Sequence, residues 1–355
     1  KKAKARYPNV CGSGLFMEAI EQNPVYYDLA FEMPNHTDSI HLQGWLAAYA
    51  ERRYGAKSAA AEKAWMYLLE GPYRRGTNGT ERSSIVAARP ALDVKKSGPN
   101  AGLGIPYEPM LIIQAQAQLL KDADKLAASK PYRFDIVDVQ RQMMTNLGQL
   151  VHKKAAEAFV AKDKAAFTLH SRRFLELLSD MDELLYTRSE YSFDKWLTEA
   201  RSWGETKEEK DLMERDATSL VTIWGADGDP RIFDYSWREW AGLINGYYLP
   251  RWQKFYTMLQ GHLDAGTDYQ EEGLPLAYGR EDFRANDFYN QLADWELAYV
   301  VQTDKARIPV TRGDELVITR RLFDKYLKLS REYYTDFSGV EEIKEERTYE
   351  NVGEE

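Results

Sequence analysis

Apolar residues along this chain recur mostly at spacings of three and four, the period of a helix with one buried face. In residues 133–161 the stripe is Ile136, Val139, Met143, Leu147 and Leu150. In residues 164–187 it is Phe167, Phe174, Leu178, Met181 and Leu185. The same reasoning predicts helices over 108–127, 190–203, 206–222, 281–303 and 313–334. Earlier in the chain, Leu42, Trp45, Leu46 and Tyr49 share one face of a helix that ends near Gly55 and takes Asp38 as its N-cap. Trp65, Leu68 and Leu69 mark a short helix, and residues 25–33 make another with Pro24 in its first turn. Short connections imply antiparallel neighbours.

Three stretches break this pattern. Residues 71–107 are rich in Gly, Pro, Ser and Asn and read as a long irregular segment, of a length that in compact domains usually carries function. Residues 224–231 hold two glycines and a proline, which cannot continue a helix. A helix is predicted to resume near Tyr235, carrying Trp240, Ile244 and Tyr248, with Pro250 expected to kink or break it. Residues 7–20 read as a short extended segment leading into a loop. The acidic stretch 341–355, poor in apolar residues, reads as a disordered tail. Helix and loop lengths vary too much for a solenoid of fixed period.

Composition narrows the function classes. The net charge of −9 argues against a nucleic-acid backbone as partner, since that needs a basic face. No apolar run reaches the ~18 residues of a membrane span. The basic start Lys1 to Arg6 lacks the apolar stretch of a signal peptide. Cys11 is the sole cysteine, which rules out an internal disulfide. His36, His41, His152, His170 and His262 are scattered without metal-ligand spacing, so no metal site and no cofactor are predicted. Asn35-His-Thr37 and Asn78-Gly-Thr80 fit the glycosylation acceptor pattern, which matters only in a eukaryotic secretory pathway. The chain is rich in aromatics. These pack cores, and their faces also stack on the apolar C–H faces of sugar rings.

Glu18 stands out among the ionisable residues. It follows Gly12-Ser-Gly-Leu-Phe-Met, a short glycine-rich apolar run. The plain reading is a loop carboxylate satisfied by nearby amides. The sharper one is catalytic: Gly12 and Gly14 allow a sharp turn at a strand end, Leu15, Phe16 and Met17 predict burial, and strand ends are where barrel enzymes place catalytic groups. The segment from Ile223 to Ser236 also has two readings. It is a helix–loop–helix corner with Asp234 as N-cap, or a binding loop that presents Trp224 and Tyr235 to a ligand. Arg89-Pro90-Ala-Leu92, with Asn78 upstream, reads as loop.

Taken in order, these segments resemble a known family. The run Gly12-Ser-Gly-Leu-Phe-Met-Glu18-Ala-Ile-Glu-Gln-Asn23-Pro-Val-Tyr-Tyr27 resembles the catalytic segment of glycoside hydrolase family 89, the α-N-acetylglucosaminidases. The resemblance continues through Trp45-Leu and Tyr49-Ala-Glu-Arg-Arg-Tyr-Gly55, Arg89-Pro90, Arg133-Phe-Asp-Ile-Val-Asp138 and Arg141-Gln142. It returns at Ile223-Trp-Gly225, Asp234-Tyr235 and Ala241-Gly-Leu to Tyr247-Tyr-Leu-Pro-Arg-Trp252, and so spans most of residues 7–335.

Members of that family have a small N-terminal domain, a (β/α)8-type catalytic barrel and a C-terminal all-helical domain. They remove terminal α-linked N-acetylglucosamine with retention, using two glutamates. The resemblance implies a mainly α fold, an irregular multi-helix C-terminal domain preceded by the final strand–helix piece of the barrel. Residues 1–37 would be the barrel edge, 38–337 the helical domain and 338–355 the acidic tail. Glu18 matches the nucleophile; no segment here matches the acid/base glutamate, which lies upstream in family members. Trp224, Ile232 and Tyr235 match positions where the helical domain closes over the sugar pocket, although the loop from Gly225 to Arg231 is longer than the family pattern. The implied partners are a glycan ending in α-N-acetylglucosamine and the upstream barrel of the same protein. The implied compartment is lysosomal in an animal, secreted or periplasmic in a bacterium. The chain is expected to be a piece of something longer and inactive alone. The alternative is a stand-alone helical interaction or carbohydrate-binding module without catalysis. An α/α-barrel lyase or hydrolase fits less well, because its paired helices leave no room for the irregular 71–107 stretch.

Overall fold

Side-chain caps set many of the helix boundaries, because the first amides of a helix have no partner within it. Ser58 accepts from Ala61 N, Ser129 from Tyr132 N, Asp163 from Ala166 N and Ser192 from Lys195 N. Thr206 and Glu209 cap each other's amides in a reciprocal box. The computed structural model describes residues 6–12, 14–17, 23–36, 39–74, 83–95, 97–98, 102–224, 233–271 and 287–335. Among them the α-helices are α1 Pro24–Glu32, α2 Leu42–Tyr54, α3 Ala59–Glu70, α4 Met110–Lys121, α5 Ala123–Leu126 and α6 Lys130–Val160. They continue as α7 Lys164–Leu185, α8 Phe193–Arg201, α9 Lys207–Leu220, α10 Leu249–Ala265, α11 Asp287–Val301 and α12 Glu315–Tyr333. The fold is mainly α, as the periodicity predicts, and the described residues contain no strand, only isolated bridges such as that between Ser192 and Ala241.

The 31-residue α6 is the centre. Its buried positions, from Tyr132 to Phe159, are too many for one face, so the helix is covered on several sides. A three-residue link returns the chain as α7, which packs along α6, and so short a link requires an antiparallel pair. Around this pair lie α4, α2 and α12 against α6, and α10 against α7. Further out, α3 packs on α4, α8 on α9, and α11 on α9 and α10. Phe174 and Trp252 meet edge to face at 4.7 Å, and His152 meets Trp252 at the same distance, in an aromatic centre where α6, α7 and α10 converge. Each such ring contributes roughly 1.5–3 kcal/mol by leaving water. Burial pushes the His152 imidazole down to about 4, so it sits neutral in this core, bonded through Nδ1 to Tyr256.

Several expectations need correction. Helix α2 is capped by His41, whose Nδ1 accepts from Gly44 N, and not by Asp38, which lies outside the described residues. Leu15, Phe16 and Met17 are not buried here: Phe16 is fully exposed and the other two are exposed as well, because no described element packs over them. The helix expected from Tyr235 begins only at Leu243; residues 237–240 take no regular secondary structure, with Trp240 among them. Nor does Pro250 break it. A π turn, Ile244–Tyr248, precedes α10, and Leu249 N donates five residues back to Ile244 O. That wider register displaces the carbonyl a proline ring would strike in a regular helix, and the residue four back is Gly246, without a side chain. The irregular segment is as predicted in shape, but its described part from Ser83 to Ala91 is buried. A buried loop must find donors for its carbonyls. Arg251 Nη2 reaches Ala87 O at 2.6 Å, Trp252 Nε1 reaches Val86 O at 3.3 Å and Tyr289 Oη reaches Pro90 O at 3.0 Å.

Candidate functional site

Trp224 and Tyr235, eleven positions apart in sequence, meet with ring centroids 4.6 Å apart and planes 43° apart. Both are half-buried, so they form a partly open aromatic surface. Trp224 has φ of +67° and Asp234 φ of +57°, a backbone state that non-glycine residues adopt at a cost of about 1–2 kcal/mol each. Two hydrogen bonds hold these turns: Trp224 N to Ser219 O at 2.6 Å and Asp234 N to Thr222 O at 2.7 Å. The flanking Ile223 and Phe233 pack with Ala293 and Val300 of α11.

Under this surface lies a buried ionic chain. Arg251, fully buried, places Nη1 at 3.1 and 2.9 Å from the two Asp234 oxygens and at 3.0 Å from Glu296 Oε1. Glu296 in turn accepts from Arg89 Nη2 at 2.6 Å and Nε at 3.1 Å. Burial pushes the Asp234 carboxyl up to about 7; Arg251 opposes this and Glu296 adds to it. Asp234 is therefore the acid of an interior network and not a helix N-cap. Its backbone is also fixed from the other side by Gly98, where a Cβ would lie 2.8 Å from Asp234 O, a distance that only glycine permits.

The segment that follows is anchored as tightly. Glu239 accepts from Ser84 Oγ at 2.5 Å and Thr145 Oγ1 at 2.8 Å, and pairs with Arg141, which also binds Asp138. Ala241 is held at its bridge to Ser192 by both backbone groups: its N donates to Tyr191 O at 2.8 Å and its O accepts from Phe193 N at 3.1 Å. Nearer the start of α6, Arg53 of α2 forms a two-bond fork with Asp135 at 2.6 and 2.7 Å, joined by Tyr54 Oη at 2.8 Å. The motifs that suggested the resemblance thus resolve into charge pairs between distant segments: Arg53 with Asp135, Arg89 with Glu296, Asp234 with Arg251. A broken buried pair costs about 3–5 kcal/mol, so each partner constrains the other.

Of the predicted site residues, the structure brings Trp224 and Tyr235 together. Glu18 and Ile232 lie outside the described residues, as do Asn78 and the loop 225–231. The chain just after Glu18 is tied to the helical body at Asn23, whose Oδ1 accepts from Tyr73 Oη at 2.9 Å. Glu296 and Glu239 escaped the sequence reading. For Glu296 a signal existed: it occupies the apolar stripe of α11, in register with Tyr289, Leu292, Ala293 and Val300. A carboxylate on a buried stripe requires a cationic partner. Glu239 lies in an irregular stretch without periodicity and left no such trace. Among the described residues no cluster of three His, Cys, Asp or Glu could hold a metal ion. No described helix is long and apolar enough to cross a membrane.

This chain is similar in sequence and fold to known proteins. Human alpha-N-acetylglucosaminidase is 32% identical over 334 residues, covering 92% of this chain and 41% of that protein. A family 89 glycoside hydrolase from Clostridium perfringens, carrying two glutamate-to-glutamine substitutions and bound to its substrate GlcNAc-alpha-1,4-galactose, superimposes with a TM-score of 0.81 at 27% identity. That match covers 93% of this chain and 37% of the other. A family 89 structure from the same organism in complex with 2-acetamido-1,2-dideoxynojirmycin gives a TM-score of 0.75 at 27% identity, covering 86% of this chain and 34% of the other. The chain therefore spans less than half the length of these relatives. Residues 45–325 match the family model of the alpha-N-acetylglucosaminidase (NAGLU) C-terminal domain, and this chain belongs to that family.

Proposed function

We propose that this chain is the C-terminal portion of a retaining exo-α-N-acetylglucosaminidase, supplying the nucleophile Glu18 and one wall of the sugar pocket from Trp224, Ile232 and Tyr235. The observation that carries the reading is the half-open Trp224–Tyr235 pair, held on strained backbone over a buried ionic chain, in a member of this family. Strain of this kind persists where the surrounding structure enforces it, and it concentrates at binding sites. The double glutamine variant of the Clostridium perfringens relative, bound to its substrate, supports a mechanism with two glutamates.

Retention requires two carboxyl groups about 5–5.5 Å apart. Glu18, ionised, attacks the anomeric carbon and forms the glycosyl–enzyme bond. The second, protonated glutamate gives its proton to the leaving oxygen and then takes one from the incoming water. That second residue comes from the portion of the protein that this chain does not span. Trp224 and Tyr235 stack against the sugar and exclude water, which strengthens the electrostatics at the reacting centre. In this reading residues 1–37 form the edge of the barrel, 38–337 the helical domain and 338–355 a tail. The exposure of Leu15, Phe16 and Met17 supports a barrel partner over that edge. The compartment that follows is lysosomal in an animal, or secreted or periplasmic in a bacterium.

Two measurements test it. Glu18→Gln in the full-length protein is expected to lower turnover of 4-nitrophenyl α-N-acetylglucosaminide by at least about a thousandfold, the scale of losing a catalytic nucleophile. Retained turnover would remove Glu18 from the mechanism. The chain by itself is expected to release no nitrophenol, and release would show that it carries both carboxyl groups.

A further inference from the structure

We propose that the buried chain Arg89–Glu296–Arg251–Asp234, together with the close approach of Gly98, positions Trp224 and Tyr235 for the terminal N-acetylglucosamine. These are positioning residues: none of the five is assigned to touch the sugar. The proposal rests on the reading that Trp224 and Tyr235 wall the pocket.

The geometry follows from connectivity. Tyr235 is the next residue after Asp234, so the direction of its ring depends on the Asp234 backbone. That backbone sits at φ +57°, a state that needs enforcement. Enforcement comes from three directions. Arg251 of α10 grips both carboxylate oxygens. The amide is bound to Thr222 O, which couples it to the end of α9 and to Trp224 two residues on. The carbonyl is pressed by Gly98 from the irregular segment. Arg251 is itself oriented by Glu296 of α11 and Ala87 O, and Glu296 by Arg89. The aromatic pair is thus referenced to α9, α10, α11 and the 83–98 segment at once. A site held from several rigid elements keeps its geometry better than one held by its own loop.

The test uses Asp234→Asn and Gly98→Ala in the full-length protein. The first keeps the side-chain shape and removes its charge. The second leaves every charge in place and displaces the same backbone. Amide hydrogen exchange at Trp224 and Asp234 is expected to quicken by about tenfold or more in both, with the amides of α6 unchanged. The KM for 4-nitrophenyl α-N-acetylglucosaminide is expected to rise about tenfold while kcat stays within about threefold, the pattern of lost uniform binding. Unchanged exchange at Trp224 and Asp234 in both variants would overturn the proposal. Loosening that spreads to α6 would make the network a general scaffold and overturn it too. If the two amides loosen but KM does not move, while Trp224→Ala raises KM, the coupling to binding is wrong. If Trp224→Ala and Tyr235→Ala also leave KM unchanged, it is the pocket-wall reading that fails.

Discussion

Asp182 is a single carboxyl on which the start of a helix depends. It is buried on α7, and its Oδ1 accepts from Gly242 N at 2.8 Å and Asn245 N at 3.1 Å, while Oδ2 accepts from Asn245 Nδ2 at 2.7 Å. Burial pushes it up to about 6, against the pull of those donors. The folded state therefore holds its proton more tightly than the unfolded chain, whose carboxyl titrates near 3.8. The stability this gives is fully present below the unfolded value and is lost as pH rises through 6. Measured by urea unfolding, the stability difference between the native chain and Asp182→Asn is expected to shift by about 2–3 kcal/mol between pH 4 and pH 7, against the native chain at the higher pH. A difference independent of pH would show that Asp182 titrates in the folded chain as it does in the unfolded one. At this scale the sequence named residue types but not partners. Arg53 and Asp135 stand 82 positions apart, and only packing of α2 on α6 makes them a pair.

At the scale of elements, periodicity located the helices well because their apolar stripes face one core. The stripe of α7 reads off directly, and its Phe167, Phe174, Leu178, Met181 and Leu185 are all buried. The approach to α10 departs from the helix its sequence predicts for a physical reason. Residues 237–242 stay out of the helix because Glu239, Ala241 and Gly242 are each bonded to other elements, which outweighs local helix propensity. Gly242 turns the chain at φ +84°, and a Cβ there would stand 3.2 Å from Tyr186 Oη. Gly242→Ala is therefore expected to destabilise the chain by about 1–3 kcal/mol, read as a lower urea midpoint with an unchanged slope. An unshifted midpoint would mean that the turn relaxes without cost.

On the scale of the whole molecule, one contiguous apolar cluster runs from Val25 to Tyr333 and takes in every helix of the α6–α7 centre and its covering layer. Elements that share one core lose it together. Calorimetry on the chain is expected to show a single cooperative transition, and two resolved transitions would divide this body into separate units. The sequence by itself determined the mainly α class, most helix positions and the family motifs, because periodicity and ordered local motifs are properties of neighbouring residues. It also marked Trp224 and Tyr235 as a pair worth placing together. The tertiary structure alone decided that Asp234 is the interior acid beneath them, that Arg251, Glu296 and Arg89 hold it, and that Gly98 presses on its carbonyl. Those contacts join residues up to 207 positions apart, and a charge's partner at such separation is fixed by how the helices pack and not by any local pattern.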